Sequence, residues 1–428
     1  MEPAGDPKLL RRVIAASFIG TTIEWYDFFL YSTAAALVFN KQYFPELDPA
    51  VGTMAAFGTY AVGFFARPLG GIIFGHFGDR IGRKSMLVTT LLLMGISTFL
   101  VGLVPTYNSI GVAAPILLVV LRFIQGIGVG GEWGGAVLMA VEHSSGGRRG
   151  LSASWPQAGV PAGLLLSTGV FYAFSKGLTD AQFEDWGWRV PFLLGALLVG
   201  VGLFIRLNIF ESPLFEKVKE TKVAKLPILD AIKSHPRNIL LAMGARFAEN
   251  VFFYVFSAWI LDYGVKKLGM SSSLMLNALM VAAAVELCTV PVFGALSDRL
   301  GRRPVYIFGA TFSGLFAFPF FWLIETQSEP CIYLALILGL AVGHAAMYGP
   351  QAAFFSELFG TKVRYTGASL GYQLASPLAG GLAPIIAAAL VQQAHGGSWG
   401  VAAYMIFSAA LTVLCVYLAA ETSKGALE

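Results

Sequence analysis

The sequence predicts an all-α membrane protein of twelve transmembrane helices arranged as two pseudo-symmetric six-helix bundles. Three observations predict it: 56% hydrophobic against 13% charged residues, twelve apolar stretches of spanning length, and a basic loop motif repeated half a chain apart. An ordinary soluble domain is about 25% charged, and a soluble fold of 428 residues could not hide this much apolar surface. The 20 Pro and 49 Gly fall within long apolar stretches, as membrane helices tolerate.

A span needs about 20 largely apolar residues. Spans one to six are expected at 13–39, 51–75, 85–105, 111–140, 151–175 and 188–208, and spans seven to twelve at 238–262, 272–297, 304–325, 331–356, 365–393 and 399–420. The interval 209–237, with Glu211, Glu216, Lys217, Lys219, Glu220, Lys222, Lys225 and Lys233, reads as a wet cytoplasmic linker. The expected domains are therefore 1–208 and 238–428, joined by that linker. Residues 1–12 lack a small-residue cleavage site ahead of span one, so they read as retained. A cytoplasmic N-terminus leaves only Lys41, Lys176, Lys266 and Lys267 outside, with Arg67, Arg122 and Arg246 within spans and Arg189 at a boundary. Under the positive-inside rule both termini are expected in the cytoplasm.

Other classes of function lose their footing here. The basic residues are confined to short segments between apolar runs, which excludes a nucleic-acid face. Cys288, Cys331 and Cys415 have neither metal spacing nor a disulfide framework. With no HExxH or Walker loop, no enzyme chemistry, metal or cofactor is expected.

The repeat supports the division into halves. Gly75-His-Phe-Gly78-Asp79-Arg80-Ile-Gly82-Arg83-Lys84 recurs 219 residues later as Gly294-Ala-Leu-Ser297-Asp298-Arg299-Leu-Gly301-Arg302-Arg303. One copy would be a basic turn obeying positive-inside, but two copies at matching positions point to duplicated halves with a solute site between them. Asp79, Arg80, Arg83, Asp298, Arg299 and Arg302 are the expected gate, each aspartate lying near a helix terminus.

Charged groups at the bilayer centre cost at least about 2.5–3.5 kcal/mol each, so they face an interior or an aqueous cavity. Glu24, Asp27, Arg67, Arg122, Glu132, Arg246, Glu249 and Glu286 are such groups, with His344 a titratable addition. Most fall on spans one, four, seven and ten, the first and fourth helices of each half, which are therefore expected to wall a cavity. Asp27, Arg122, Glu249 and His344 lie roughly 11–14 residues into their spans, near mid-bilayer. Helical spacing puts Glu24, Asp27 and Tyr31 on one stripe, Arg246, Asn250, Phe253 and Ser257 on another, and His344, Tyr348 and Gln351 on a third. Arg246 is the expected substrate ligand, Arg122 a ligand or a carboxylate-locked gate residue, and Arg67, beside Pro68, structural. Asp27 and Glu132 compete as proton carrier, with Glu24 nearby. Burial among Gly130, Gly131, Gly134 and Gly135 would favour a neutral Glu132. Trp133, Trp155 and Phe253 are expected as apolar walls.

The two loops, together with Arg122-Phe-Ile-Gln125-Gly126, resemble the major facilitator superfamily over essentially the whole chain. Narrower strings resemble its metabolite:proton symporter branch: Glu24-Trp25-Tyr26-Asp27-Phe28, Arg67-Pro68-Leu69-Gly70-Gly71, Gly130-Gly131-Glu132-Trp133-Gly134-Gly135, Trp186-Gly187-Trp188-Arg189-Val190-Pro191-Phe192 and Glu211-Ser212-Pro213. Arg246-x-x-Glu249, His344, Gln351 and Gly371-Tyr372-Gln373-Leu374-Ala375-Ser376 are similar to its shikimate-permease members, with Glu286 standing where a small polar residue is the pattern. The resemblance implies import of a small organic anion with protons across the bacterial inner membrane, by a chain working as a monomer. Tyr372, Gln373 and Gln157 complete the expected substrate contacts, alongside Tyr31, Arg122, Trp133, Arg246, Glu249, Asn250, Phe253, Glu286, His344, Tyr348 and Gln351. Proton-coupled uptake of a zwitterionic osmolyte such as betaine or proline is the alternative.

Overall fold

A computed structural model describes residues 7–81, 83–130, 137, 140, 141, 144, 147–207, 232–359 and 364–423. The side chains of Asp79, Arg80 and Arg83, all of Glu132 and Trp133, and most of the linker lie outside the described residues.

The described residues are helical apart from short connections and form the twelve-span, two-bundle fold. Span one is Pro7–Leu37, two Pro49–Ile81, three Arg83–Leu103, four Ala113–Gly130, five Arg149–Gly177 and six Val190–Leu207. Span seven runs Pro236–Lys267, eight Ser272–Leu300, nine Arg302–Glu325 and ten Glu329–Glu357. Span eleven begins at Arg364 and ends at Gln393, and span twelve is Trp399–Leu418. The helices overrun the expected stretches mostly by a turn or less, because a helix does not end where the lipid does.

Span one packs on five, two on four, three on six, and nine on twelve. Across the middle, span five lies against eight and two against eleven. Those two crossings exchange when six is added to or subtracted from each span number, which is the pairing a two-fold axis along the membrane normal requires.

Without a hydrophobic force between helices in lipid, close packing of small residues holds them together. Spans two and four show it: a Cβ at Gly126 would lie 2.2 Å from the Gly63 carbonyl, one at Gly130 2.0 Å from that of Arg67, and one at Gly70 2.0 Å from that of Ile127. Since the obstacle is backbone, neither helix can yield locally. Gly126→Val is expected to cost at least about 3 kcal/mol, the upper range for overpacking, read as lost monodispersity and a lowered melting temperature in detergent. A wild-type melt would contradict the close crossing.

Among the described residues four π turns break the regular helices, at Val255–Trp259 and Tyr263–Lys267 in span seven, Leu338–His344 in span ten and Ser376–Gly381 in span eleven. Such turns gather at functional sites, and two of these carry His344 and Ser376. Ser257, expected on the Arg246 stripe, falls inside one and donates its hydroxyl to the Phe253 carbonyl at 2.6 Å.

Span nine begins on an unusual cap. The Glu421 carboxylate, arriving from beyond span twelve, accepts the backbone N–H groups of Arg302 at 2.9 Å and Arg303 at 3.0 Å. Partial burial favours the neutral acid, but the N–H groups of Arg302, Ser423 and Arg303 outweigh it and hold the carboxyl below its usual value. A depressed carboxyl stabilises the fold above its unfolded pKa and loses that contribution as pH falls through the folded value. Glu421→Gln is therefore expected to lower stability at neutral pH by about 1 kcal/mol, and to leave it unchanged well below pH 4. Equal melting temperatures at pH 7 would count against the cap.

Candidate functional site

Five of the expected residues meet in one buried network among spans seven, eight and ten. Arg246 is 1% exposed, and its Nη1 donates to Glu249 Oε2 at 3.0 Å and to Gln351 Oε1 at 2.8 Å. Its Nε reaches Ser376 Oγ at 3.4 Å, and the guanidinium lies 3.1 Å from the centroid of the Tyr372 ring. Glu249 Oε1 faces His344 Nε2 at 3.1 Å, while the other ring nitrogen, Nδ1, is hydrogen-bonded to Glu286 Oε1. Gln351 Nε2 donates to Glu249 Oε2 at 3.1 Å and to the Tyr306 hydroxyl at 2.8 Å. Phe253 and Tyr348 cover the imidazole with ring centroids 4.6 and 5.0 Å away. Asn250 donates to the Arg246 carbonyl at 3.2 Å. Burying one arginine, one histidine and two carboxylates is tolerable because each charge has an opposite charge within reach.

The other half is arranged differently. Arg122, 1% exposed, donates from Nη1 to Gln125 Oε1 and from Nε to the Tyr60 carbonyl at 3.4 Å. Its guanidinium is enclosed by the rings of Phe28, Tyr31 and Tyr60 at 4.3, 4.4 and 4.7 Å. Among the described residues no carboxylate pairs with it, so the carboxylate-locked alternative has no partner there. Tyr31 donates to Thr59 Oγ1 at 2.8 Å. Asp27 is buried against span six, where a Cβ on Gly195 would lie 3.1 Å from its Oδ1, and neither of its oxygens has a hydrogen-bond partner.

Between the halves is a cavity walled by Glu24, Arg67, Gln157, Tyr372 and Gln373, among others. It has room for about one water. Gln157 reaches across to the Tyr348 carbonyl at 3.4 Å, and Gln373 to that of Gly130 at 3.3 Å. Glu24 thus meets the cavity, whereas Asp27 and Tyr31 of the same expected stripe turn to other helices. Trp155 is 40% exposed and packs on Phe18 instead of walling a chamber.

Both ends of the path are closed. On the side of the repeated loop, Asp298 accepts the backbone N–H groups of Gly150 at 2.8 Å and Leu151 at 2.9 Å, and Arg302 Nη1 at 2.8 Å. Glu357 receives Arg302 and Arg149, each at 3.1 Å. Arg299 is exposed and makes no ion pair among the described residues. At the opposite end Lys266 pairs with Asp262 at 2.7 Å and reaches Thr53 Oγ1 at 3.2 Å. Above the cavity Phe28, Tyr60 and Phe64 pack on Tyr254 at 6.2, 6.1 and 5.0 Å.

Sequence reasoning passed over Tyr306, Glu357, Arg149 and the part Arg67 plays in the cavity wall. Glu357 had a signal, since Glu142 stands 215 residues earlier at the end of the matching span, so the repeat extends past the loops. Tyr306 had none, being one tyrosine of 15 on a helix outside the four expected walls.

The shared features of known proteins agree with this architecture. The Major Facilitator Superfamily profile matches residues 17–384. The Shikimate transporter of Escherichia coli (strain K12) is 43% identical over 97% of this chain and 95% of its own length. The Proline/betaine transporter of the same organism is 35% identical over 91% of this chain and 79% of its own. Among solved structures, a D-xylose-proton symporter superposes with a TM-score of 0.75 at 21% identity, covering 97% of this chain and 99% of that one, which speaks to the fold. These relatives are transporters and not enzymes, and this multi-pass membrane chain belongs to the major facilitator superfamily.

Proposed function

We propose that the protein imports a small organic acid, shikimate-like or another mono- or dicarboxylate, by proton symport with alternating access. It would work as a monomer in the bacterial inner membrane, with both termini cytoplasmic. The halves 1–208 and 238–428 would rock about the paired loops, carried by the 209–237 linker. The observation that carries this reading is a cavity between the halves lined by the buried Arg67 and Glu24 at membrane depth, where charge has a functional reason. The 43% identical Shikimate transporter supports the acid as cargo. The 35% identical Proline/betaine transporter favours the second reading, a zwitterionic osmolyte.

Uptake by purified protein in proteoliposomes separates the two. Shikimate, 2-oxoglutarate, citrate, a benzoate-type acid and glycine betaine would each be offered with and without an imposed pH gradient. At least one acid is expected to accumulate only with the inside alkaline, and a protonophore to abolish it. Accumulation of betaine alone would select the second reading, and dependence on a sodium gradient instead would defeat proton coupling.

A further inference from the structure

We propose that Arg67, and not Arg246, is the guanidinium that grips the substrate carboxylate, and that Gln373 on the facing wall accepts a hydroxyl of the same molecule. The site thus takes a small hydroxylated monocarboxylate. This rests on the acid-import reading above and names the atoms that would serve it.

The three buried span arginines differ in what they already hold. Arg246 has Nη1 committed to Glu249 and Gln351, Nε to Ser376, and its face to Tyr372. Arg122 is tied by Nη1 to Gln125 and by Nε to Tyr60, which leaves only Nη2 without a partner, and it is closed over by three rings. Arg67 is also 1% exposed, yet its Nε and Nη2 have no hydrogen-bond partner. No ion pair joins it to any carboxylate among the described residues, Glu24 on the same wall included. What surrounds it is aromatic: Phe64, Phe28 and Trp25 at 4.3, 4.5 and 5.4 Å from its carbon. Ring quadrupoles attract a cation but leave the N–H groups unsatisfied, and a buried charge without an acceptor is costly. The rings fix the fork while the cavity in front of it supplies a place for an anion. A carboxylate there would take two parallel charge-assisted hydrogen bonds, a geometry open to arginine and closed to lysine.

The opposite wall specifies the rest of the ligand. Gln373 spends its NH₂ on the Gly130 carbonyl, which can only accept, so its Oε1 is turned elsewhere. That oxygen is buried and without a donor. It calls for an O–H or N–H on the solute. A quaternary ammonium offers neither, and the Trp25, Phe28 and Phe64 rings that would cage such a cation are already occupied by Arg67. The cavity as it stands holds about one water, so the ligand enters when the halves part and is released from these groups the same way.

Binding of shikimate, of cyclohexanecarboxylate (a carboxylate without hydroxyls) and of glycine betaine to the purified full-length protein tests the assignment. Wild type is expected to prefer shikimate. Arg67→Lys should weaken both acids by roughly 10- to 100-fold, with Arg246→Lys weakening them less. Gln373→Leu should weaken shikimate at least ~10-fold and leave cyclohexanecarboxylate within ~2-fold. Should Arg67→Lys fail to fold, the selectivity change in Gln373→Leu carries the test alone. Unchanged acid affinity in a folded Arg67→Lys, or equal loss of both acids in Gln373→Leu, overturns the assignment. No binding of either acid by wild type would overturn the acid-import reading itself, and the assignment with it.

Discussion

Asp298→Asn is expected to lower uptake at least ~10-fold while moving substrate affinity less than ~3-fold, because it biases the closed gate and not the site. Asp298 joins the halves without contacting the cavity. Its two oxygens accept adjacent backbone N–H groups at the start of span five, where the helix dipole and orphan donors favour an anion. Its third partner, Arg302, is shared with Glu357, which also holds Arg149. Two carboxylates and two guanidiniums balance there, so neutralising one leaves Arg302 and the span-five N–H groups short of an acceptor. An Asn amide would turn an N–H toward another N–H. Breaking such a buried pair costs about 3–5 kcal/mol, which shifts a two-state equilibrium by more than ~100-fold. The variant would therefore rest open on this face.

Alkylation of the near-isosteric Ser154→Cys, buried where span five meets Gly294, measures that opening. It should speed up in the Asp298→Asn background, with Asp298→Glu intermediate. Equal loss of binding and transport in folded protein would place Asp298 in general stability and not in gating. Asp79→Asn, at the other copy of the motif, is expected to act in the same direction.

The two halves of the site were not equally legible in the sequence. Arg246, Glu249, Glu286 and His344 announced themselves because a charge in lipid must find partners, and equal depth already placed Glu249 and His344 together. The spans were legible for the same physical reason, lipid imposing one length and one polarity on each. Arg67 reads as structural in the sequence because of its neighbour Pro68 and its place on span two. What gives it meaning is the absence of a partner, which only coordinates can show. The π turns were also invisible, since one additional residue in a turn leaves no compositional trace, and Ser257 left its expected stripe on that account. Asp298 was found through repetition, whereas Gly150 and Leu151 contribute backbone groups that no residue type betrays.

Glu286→Gln is expected to abolish proton-driven accumulation, by at least ~10-fold, while exchange of substrate across the membrane stays within ~3-fold. The reasoning starts at His344, both of whose ring nitrogens face carboxylate oxygens. A neutral imidazole has one N–H and one lone pair, so a pair of ionised carboxylates would set an oxygen against that lone pair. Either the imidazole is charged and donates twice, or one carboxylate carries the proton and donates back. Both arrangements contain the same single proton and leave Arg246, Glu249, His344 and Glu286 neutral as a group. Losing that proton would strand a net negative charge in a fully buried site, which is costly. Departure is therefore favoured when the halves part and water reaches Glu286, whose Oε2 has no partner in the closed state. Glutamine keeps the shape and, by donating its NH₂ to Nδ1, lets a neutral imidazole donate from Nε2 to Glu249, which leaves the group neutral with no proton to give. Exchange, which needs no net proton movement, would persist across pH, while accumulation driven by a pH gradient would not. Counterflow and gradient-driven uptake in the same proteoliposomes measure the two separately. If Glu286→Gln accumulates substrate as wild type does, this network is structural, and Asp27→Asn and Glu132→Gln become the variants in which accumulation and exchange should part.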